Sequence, residues 1–199
     1  MHADSFYLNR FGDRISIRQW KYYVGGLMLD DEPILLNGDK YALINAMEGK
    51  VCVIGAITPR NYGQLRFRIG IDASDQSSGV RSGSLDPLNN MYWTWNSGYI
   101  AFKLEGESSS APPPLHRFEH HLGGYREGQV FQPLVALKPK NTIALNSAKH
   151  NELLIDVDLH HYWERTDSIR AKSVIMQPGP AAMAQSEAVV RLFEWIVLP

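Results

Sequence analysis

The stretch Met91–Gly106 reads Met-Tyr-Trp-Thr-Trp-Asn-Ser-Gly-Tyr-Ile-Ala-Phe-Lys-Leu-Glu-Gly and brings two of the five tryptophans of the chain close together. Successive side chains of an extended strand point to opposite faces. The spacing therefore predicts Trp93 and Trp95 on one face, with Tyr92 and Thr94 on the other. Such an indole pair either forms a site or fills the end of a β-sheet core, because large aromatic side chains serve both purposes.

The rest of that stretch, and several others, have the composition of β-strands. Tyr99–Glu105 is a run of β-formers and is predicted to be a central strand. Leu65–Asp72 alternates apolar and polar residues, as half-buried strands do. Tyr22–Leu29 is predicted to be one strand with a bulge at the Gly25–Gly26 pair. About nine such short strands, followed by a helical pattern over Ala181–Phe193, predict an all-β fold: an antiparallel β-sandwich with long loops and a short C-terminal helix.

Length, charge and cysteine content exclude several classes of protein. The 199 residues, of which 44% are hydrophobic, suffice for one core and predict a single domain over residues 1–199. A net charge of -1 gives no electrostatic basis for binding nucleic acid. Cys52 is the single cysteine and lies in an apolar run, so we expect a buried thiol and no intrachain disulfide. No apolar run reaches the roughly 18 residues of a membrane span, and Met1–Phe11 lacks the pattern of an export signal.

His120 and His121 are neighbours in a predicted strand that ends at a pair of glycines. An extended strand points them to opposite faces, so at most one of them can face a given site. A strand histidine is more often a hydrogen-bonded structural residue than a metal ligand. The sequence contains no Cys-x-x-Cys or His-x-His pair, no nucleophile elbow, no phosphate-binding loop and no dinucleotide fingerprint. The protein is therefore predicted not to be an enzyme.

Three aspartates lie in or beside the polar segment that follows the Leu65–Asp72 strand. Asp72, Asp75 and Asp86 supply the kind of oxygen ligands that Ca²⁺ requires, although their spacing does not match an EF-hand. The alternative is that these side chains bond to nearby backbone amides and form turns. Both interpretations remain open from the sequence.

Five stretches occur in an order that is itself informative. They are Lys21–Leu27, Phe67–Asp72, Gly83–Pro87, Met91–Gly106 and His121–Gly124. Together they resemble the MbnP-like domain family, the methanobactin-associated periplasmic proteins related to the copper proteins MopE and CorA. The resemblance covers roughly residues 5–165, and its Met-x-Trp-x-Trp-x-x-Gly-Tyr and His-Leu-Gly-Gly motifs are specific.

The resemblance implies an exported protein of the periplasm or cell envelope that binds copper. In methanotroph members, it implies oxidation of a tryptophan to kynurenine by MbnH, a dihaem partner of the cytochrome c peroxidase type. Carried over, Trp93 and Trp95 are the modifiable indoles and His121 is an imidazole near them. Soft Cu(I) accepts neutral imidazole, and an opened indole offers an aniline nitrogen and a carbonyl. Tyr92 and Thr94 stand where the methanotroph form has histidines.

Two other functions remain possible from the sequence. Exposed Trp and Tyr side chains would form a stacking platform for carbohydrate, which makes the protein a non-catalytic binding module. Alternatively, the protein is a structural sandwich that binds nothing. Exposure of the indoles distinguishes the copper-binding protein from the carbohydrate-binding module. A copper site next to His121 requires buried rings, whereas a stacking platform requires a row of rings that face the solvent.

Overall fold

The computed structural model describes residues 6–49, 55–94, 96–139, 142–145 and 153–197. Cys52 and Trp95, for which the sequence makes specific predictions, lie outside these ranges. Within them the chain forms fourteen strands and four short α-helices. The strands are β1 (Tyr7–Leu8), β2 (Arg14–Leu29), β3 (Glu32–Pro33), β4 (Tyr41–Asn45), β5 (Asn61–Tyr62), β6 (Leu65–Ile69), β7 (Tyr92–Thr94), β8 (Gly98–Ser108), β9 (Arg117–Gly123), β10 (Leu134–Leu137), β11 (Ile143–Ala144), β12 (Leu153–Val157), β13 (Val174–Ile175) and β14 (Phe193–Val197). The helices are α1 (Ala73–Ser77), α2 (His160–Arg165), α3 (Pro180–Met183) and α4 (Ser186–Arg191).

One curled, mixed sheet organises the molecule. Its strands run in the order β10-β6-β2-β8-β9-β13, and β1, β3, β4 and β7 pair with β2 or β8 beside this path. The neighbours in this order are antiparallel except for β13, which pairs with β9 in parallel. The strand pairs β5–β11 and β12–β14 form two further small sheets. The all-β class predicted from the sequence is confirmed.

The two longest strands follow the sequence pattern closely. The predicted central strand is β8, which lies between β2 and β9. The predicted interruption of β2 is also present, since the register with β6 shifts between Gly25 and Met28. A side chain at Gly25 would place its Cβ 2.6 Å from the ring of Tyr41, so the close approach of β4 requires glycine there.

The two faces of the sheet are buried in different ways. On one face, Phe102 and Leu104 of β8 and Phe118 and Leu122 of β9 belong to the main core, together with residues of α2, α4 and β14. On the other face lies a smaller apolar cluster, composed of Tyr23, Tyr41, Ile71, Leu85, Met91, Tyr99 and Ile100.

Residues 72–94, here called the cover, contribute Leu85 and Met91 to the smaller cluster. The polar composition of residues 73–90 predicts a long loop, and the structure has α1 and two 3-10 turns there, Gly83–Leu85 and Pro87–Asn89.

The C-terminal segment is helical over a shorter span than predicted. The pattern over Ala181–Phe193 indicated one helix, and the structure has α3 and α4 separated by Ala184 and Gln185. The predicted short C-terminal helix is therefore present. From Phe193 the chain is extended and pairs with β12. None of the helices in the described ranges is long and apolar enough to cross a membrane.

Candidate functional site

Strand β9 carries the two histidines to opposite sides of the sheet, as its alternation predicts. The side chain of His120 lies among Phe118, Tyr162 and Trp163 in the main core. His121 lies on the side of the cover, directly opposite Lys103 of β8 in the antiparallel register. His121 is only 6% exposed, so most of its ring is removed from bulk water.

The ring of His121 has one hydrogen-bonded nitrogen and one without a partner. Nε2 lies 2.7 Å from Oε1 of Glu105, which is on the same face of β8. The hydrogen bond from His121 and the charge of Lys103 hold the pKa of the Glu105 carboxyl below its usual range, against the opposing effect of burial. An ionised carboxylate only accepts hydrogen bonds, so Nε2 of His121 carries the proton. Nδ1 is buried and has no partner among the residues that the structure describes.

Two lysines hold the cover against strands β2 and β8 through hydrogen bonds. Lys21 and Lys103 are cross-strand neighbours on β2 and β8. Nζ of Lys21 donates to the carbonyl of Asn89 at 3.2 Å, and Nζ of Lys103 donates to the carbonyl of Asn90 at 2.7 Å. Lys103 is buried, and this desolvation lowers the pKa of its ammonium group although Glu105 lies 3.6 Å away. The two ammonium groups thus connect the end of the cover to the strands that carry the site.

Trp93 departs from the predicted alternation because β7 contains an irregularity. Tyr92 pairs with Tyr99 and Thr94 pairs with Gly98, so the register shifts around Trp93. Tyr92 and Trp93 therefore both pack on the smaller apolar cluster. The prediction that Tyr92 faces away from Trp93 is wrong for this reason, and Trp95 lies outside the described residues.

The ring of Trp93 lies against β9 at Gly123. A Cβ atom at Gly123 would come within 2.9 Å of Cζ3 of Trp93 and 2.6 Å of the carbonyl oxygen of Tyr99. Gly123 follows His121 by two residues on the same strand and so shares its face. The first glycine of the His-Leu-Gly-Gly motif therefore makes room for the indole next to the histidine. Nε1 of Trp93 is buried without a partner in the described part of the chain, as are Nε1 of Trp20 and of Trp163.

Sequence reasoning found His121 and Trp93 but missed the roles of Glu105 and Lys103. The structure pairs Glu105 with Glu119 in register, yet the side chains that Glu105 contacts are those of His121 and Lys103. A signal was present in the strand itself, because Lys103 and Glu105 are two charges at alternate positions of an otherwise buried run. Charged side chains in such a strand need partners.

The three aspartates proposed for calcium do not form one group. Nζ of Lys40 lies 2.6 Å from Asp72 and 2.7 Å from Asp75, and Arg81 lies 2.8 Å from Asp75. Asp86 accepts a hydrogen bond from the backbone of Leu88 and caps a 3-10 turn. Within the described ranges no three His, Cys, Asp or Glu residues are grouped to hold a metal ion. Calcium binding at these residues stays a prediction from the sequence.

The described indoles do not form an exposed platform. Trp20 and Trp163 are each 2% exposed, and Trp93 is half-buried with its Nε1 enclosed. A stacking surface for carbohydrate needs exposed ring faces. The three tryptophans whose side chains the structure describes therefore favour a buried site over such a surface.

The fold and the site together define a class: an all-β domain that encloses an imidazole, a carboxylate and an indole on one face of a curled sheet. A sequence model of the MbnP family matches residues 2–177, and the chain belongs to that family. Its structure is similar to that of MbnP from Methylosinus trichosporium, with a TM-score of 0.51 and 17% identity over 80% of this chain and 70% of that one. At this identity the similarity concerns the fold. No curated protein sequence matches the chain.

Proposed function

We propose that this member of the MbnP family is an exported, non-catalytic protein that binds copper at a site built around His121. The observation that carries the proposal is the buried Nδ1 atom of His121, which has no hydrogen-bond partner among the described residues. A buried polar atom without a partner calls for an explanation, and a ligand is one way in which such an atom is satisfied. A neutral imidazole is a good ligand for copper.

The surroundings of His121 fit a copper ion in chemical type. The second ring nitrogen is bound by Glu105, as is usual for histidines that ligate metals. The described residues bring one imidazole to this place and no group of three conventional ligands. Further donors would therefore come from the neighbouring Trp93–Trp95 segment, where an opened indole supplies an aniline nitrogen and a carbonyl oxygen. Copper, when bound, would supply a soft metal centre for these donors.

Conversion of Trp93 or Trp95 to kynurenine is the covalent part of the proposal. The bond between C2 and C3 of the indole breaks, C2 leaves as formate, and the former C3 becomes a ketone. Two equivalents of hydrogen peroxide supply the two oxygen atoms and the four oxidising equivalents, each peroxide being reduced to water at a dihaem partner of the MbnH type. A further water hydrolyses the resulting N-formyl group and releases formate. The position of Trp93 supports this assignment, since its ring lies over Gly123, on the same face of β9 as the histidine that would share the metal.

Peptide mapping and copper analysis of protein from its native host test this proposal. The tryptic peptide Ser82–Lys103 contains both Trp93 and Trp95. We expect this peptide to gain one oxygen and lose one carbon, with copper bound to the same sample. The peptides that contain Trp20 and Trp163 are internal controls, because both indoles are enclosed in the main core. We expect these controls to be unmodified.

The other outcomes separate the alternatives. An unmodified Ser82–Lys103 peptide in a protein that still binds Cu(I) would leave a histidine site and contradict the kynurenine step. A protein with neither modification nor copper would contradict the proposal as a whole and favour a carbohydrate-binding module or a structural domain. Fractionation of the native cells tests export, and we expect the protein in the periplasm or the cell envelope.

A further inference from the structure

The hydrogen bond between Glu105 and His121 occupies one ring nitrogen of the histidine and leaves the other for a metal. We propose that Glu105 is the positioning residue of the site, fixing the imidazole so that Nδ1 of His121 is its metal-binding atom. This inference rests on the proposed function, and it specifies the ligand atom and the residue that presents it.

The hydrogen-bond geometry assigns the two ring nitrogens. Oε1 of Glu105 lies 2.7 Å from Nε2 of His121, a short distance typical of a hydrogen bond to a charged acceptor. A carboxylate cannot donate, so Nε2 provides the hydrogen, and the neutral tautomer with this proton has its lone pair at Nδ1. This lone pair is enclosed and unpartnered within the described structure. It is the ring nitrogen that could bind a metal while the hydrogen bond to Glu105 is kept.

Glu105 is itself held in place from two sides. Antiparallel pairing of β8 with β9 places Lys103 directly opposite His121 and Glu105 opposite Glu119. The ammonium group of Lys103 lies 3.6 Å from the same carboxylate oxygen that binds His121, and it is anchored to the cover through Asn90. The carboxylate thus has a cation on one side and an imidazole N–H on the other. Paired strands and the ion pair with the buried Lys103 fix its position before any metal arrives.

Binding of copper at Nε2 and binding at Nδ1 predict opposite effects of Glu105 substitutions on copper affinity, so the two assignments can be tested against each other. If copper bound Nε2, Glu105 would compete with the metal, and shortening or removing its side chain would strengthen binding. If copper binds Nδ1, loss of Glu105 frees the ring to rotate and to exchange tautomers, and binding weakens. Partners of this kind behind a ligating histidine typically affect metal affinity by roughly 10- to 100-fold.

Two substitutions separate the reach of the side chain from its charge. Glu105→Asp keeps the charge but retracts the carboxylate by one methylene, while Glu105→Gln keeps the reach and an acceptor oxygen without the charge. Glu107→Gln is the matched control, since Glu107 lies two residues further on β8 in an exposed ion pair with Arg18. Each protein is purified from the native host, so that any modified indole is retained, and its folding is checked by circular dichroism.

The first readout is a Cu(I) competition titration. We expect Glu105→Asp to lower the affinity about tenfold or more, Glu105→Gln to lower it less, and Glu107→Gln to leave it unchanged. The second readout is ¹⁵N NMR of the metal-free proteins. We expect the ring proton of His121 on Nε2 in the wild type and in Glu105→Gln, and a mixture of tautomers in Glu105→Asp.

Several results would overturn the inference. Equal or tighter Cu(I) binding by a folded Glu105→Asp protein would contradict it, and so would a wild-type ring protonated on Nδ1. In both cases normal copper uptake by the wild type would leave the proposed function intact. A wild-type protein that takes up no Cu(I) would overturn the proposed function together with this inference.

Discussion

His120 and His121 are consecutive on β9, are both almost fully buried, and have different surroundings. His120 accepts a hydrogen bond from the hydroxyl of Tyr162 at 2.8 Å through Nδ1 and donates through Nε2 to the carbonyl of Lys172 at 3.1 Å. Burial lowers the pKa of His120 to about 4, so the ring is neutral. His121 has only Glu105 as a partner and leaves Nδ1 unused among the described contacts. Exposure does not distinguish a structural histidine from a candidate ligand here, whereas the count of satisfied nitrogens does.

The first prediction concerns the core histidine and has the largest effect. His120→Ala removes a ring that packs against Phe118 and Trp163 and leaves Tyr162 and a buried carbonyl without their partners. We expect the free energy of unfolding to fall by about 3 kcal/mol, measured by denaturant titration. His160→Ala is the control, because His160 is exposed. Copper affinity of the folded His120→Ala protein should equal that of the wild type, and a large loss of copper would contradict the division between the two histidines.

The second prediction concerns the contact that keeps the indole beside His121. Gly123→Ala places a methyl group against the ring of Trp93 and the carbonyl of Tyr99. Because one obstacle is backbone, we expect the free energy of unfolding to fall by about 2 kcal/mol, with a changed near-ultraviolet circular dichroism spectrum as Trp93 moves. Gly63→Ala is the matched control, since a Cβ at Gly63 would meet no heavy atom closer than 3.7 Å. An unchanged spectrum in Gly123→Ala would show that the ring does not lie on β9.

The features that the sequence predicts correctly depend on local rules. The central strand, the bulge at Gly25 and the opposite orientation of His120 and His121 follow from residue type and period-two alternation. These rules hold along one strand without knowledge of its partners. The family resemblance was confirmed for the same reason, because its motifs record local requirements such as the space at Gly123 that Trp93 fills.

The features that the sequence does not predict depend on pairing between strands. Glu105 and His121 are 16 residues apart, and they meet only because the register of β8 with β9 makes them diagonal neighbours, with Lys103 opposite His121 and Glu105 opposite Glu119. The irregularity at Trp93 is likewise fixed by how β7 meets β8, and it turns both Tyr92 and Trp93 toward the smaller cluster. A one-residue change of register would reverse which face each side chain occupies. Alternation alone therefore cannot assign the contacts of a site assembled from three strands.

The third prediction returns to His121 and tests whether its unused nitrogen binds a metal. His121→Ala removes the imidazole on the face of β9 where Trp93 packs over Gly123, so we expect Cu(I) affinity to fall at least about tenfold, or ~1.4 kcal/mol. The measurement is a competition titration against a Cu(I) chelator, with His160→Ala as the exposed control. Stability should change less than in His120→Ala, because His121 has a single described hydrogen bond and lies outside the main core. Copper affinity that is equal in wild type and His121→Ala would mean that the empty position on the ring marks no ligand. The two histidines would then differ only in how completely the fold satisfies them.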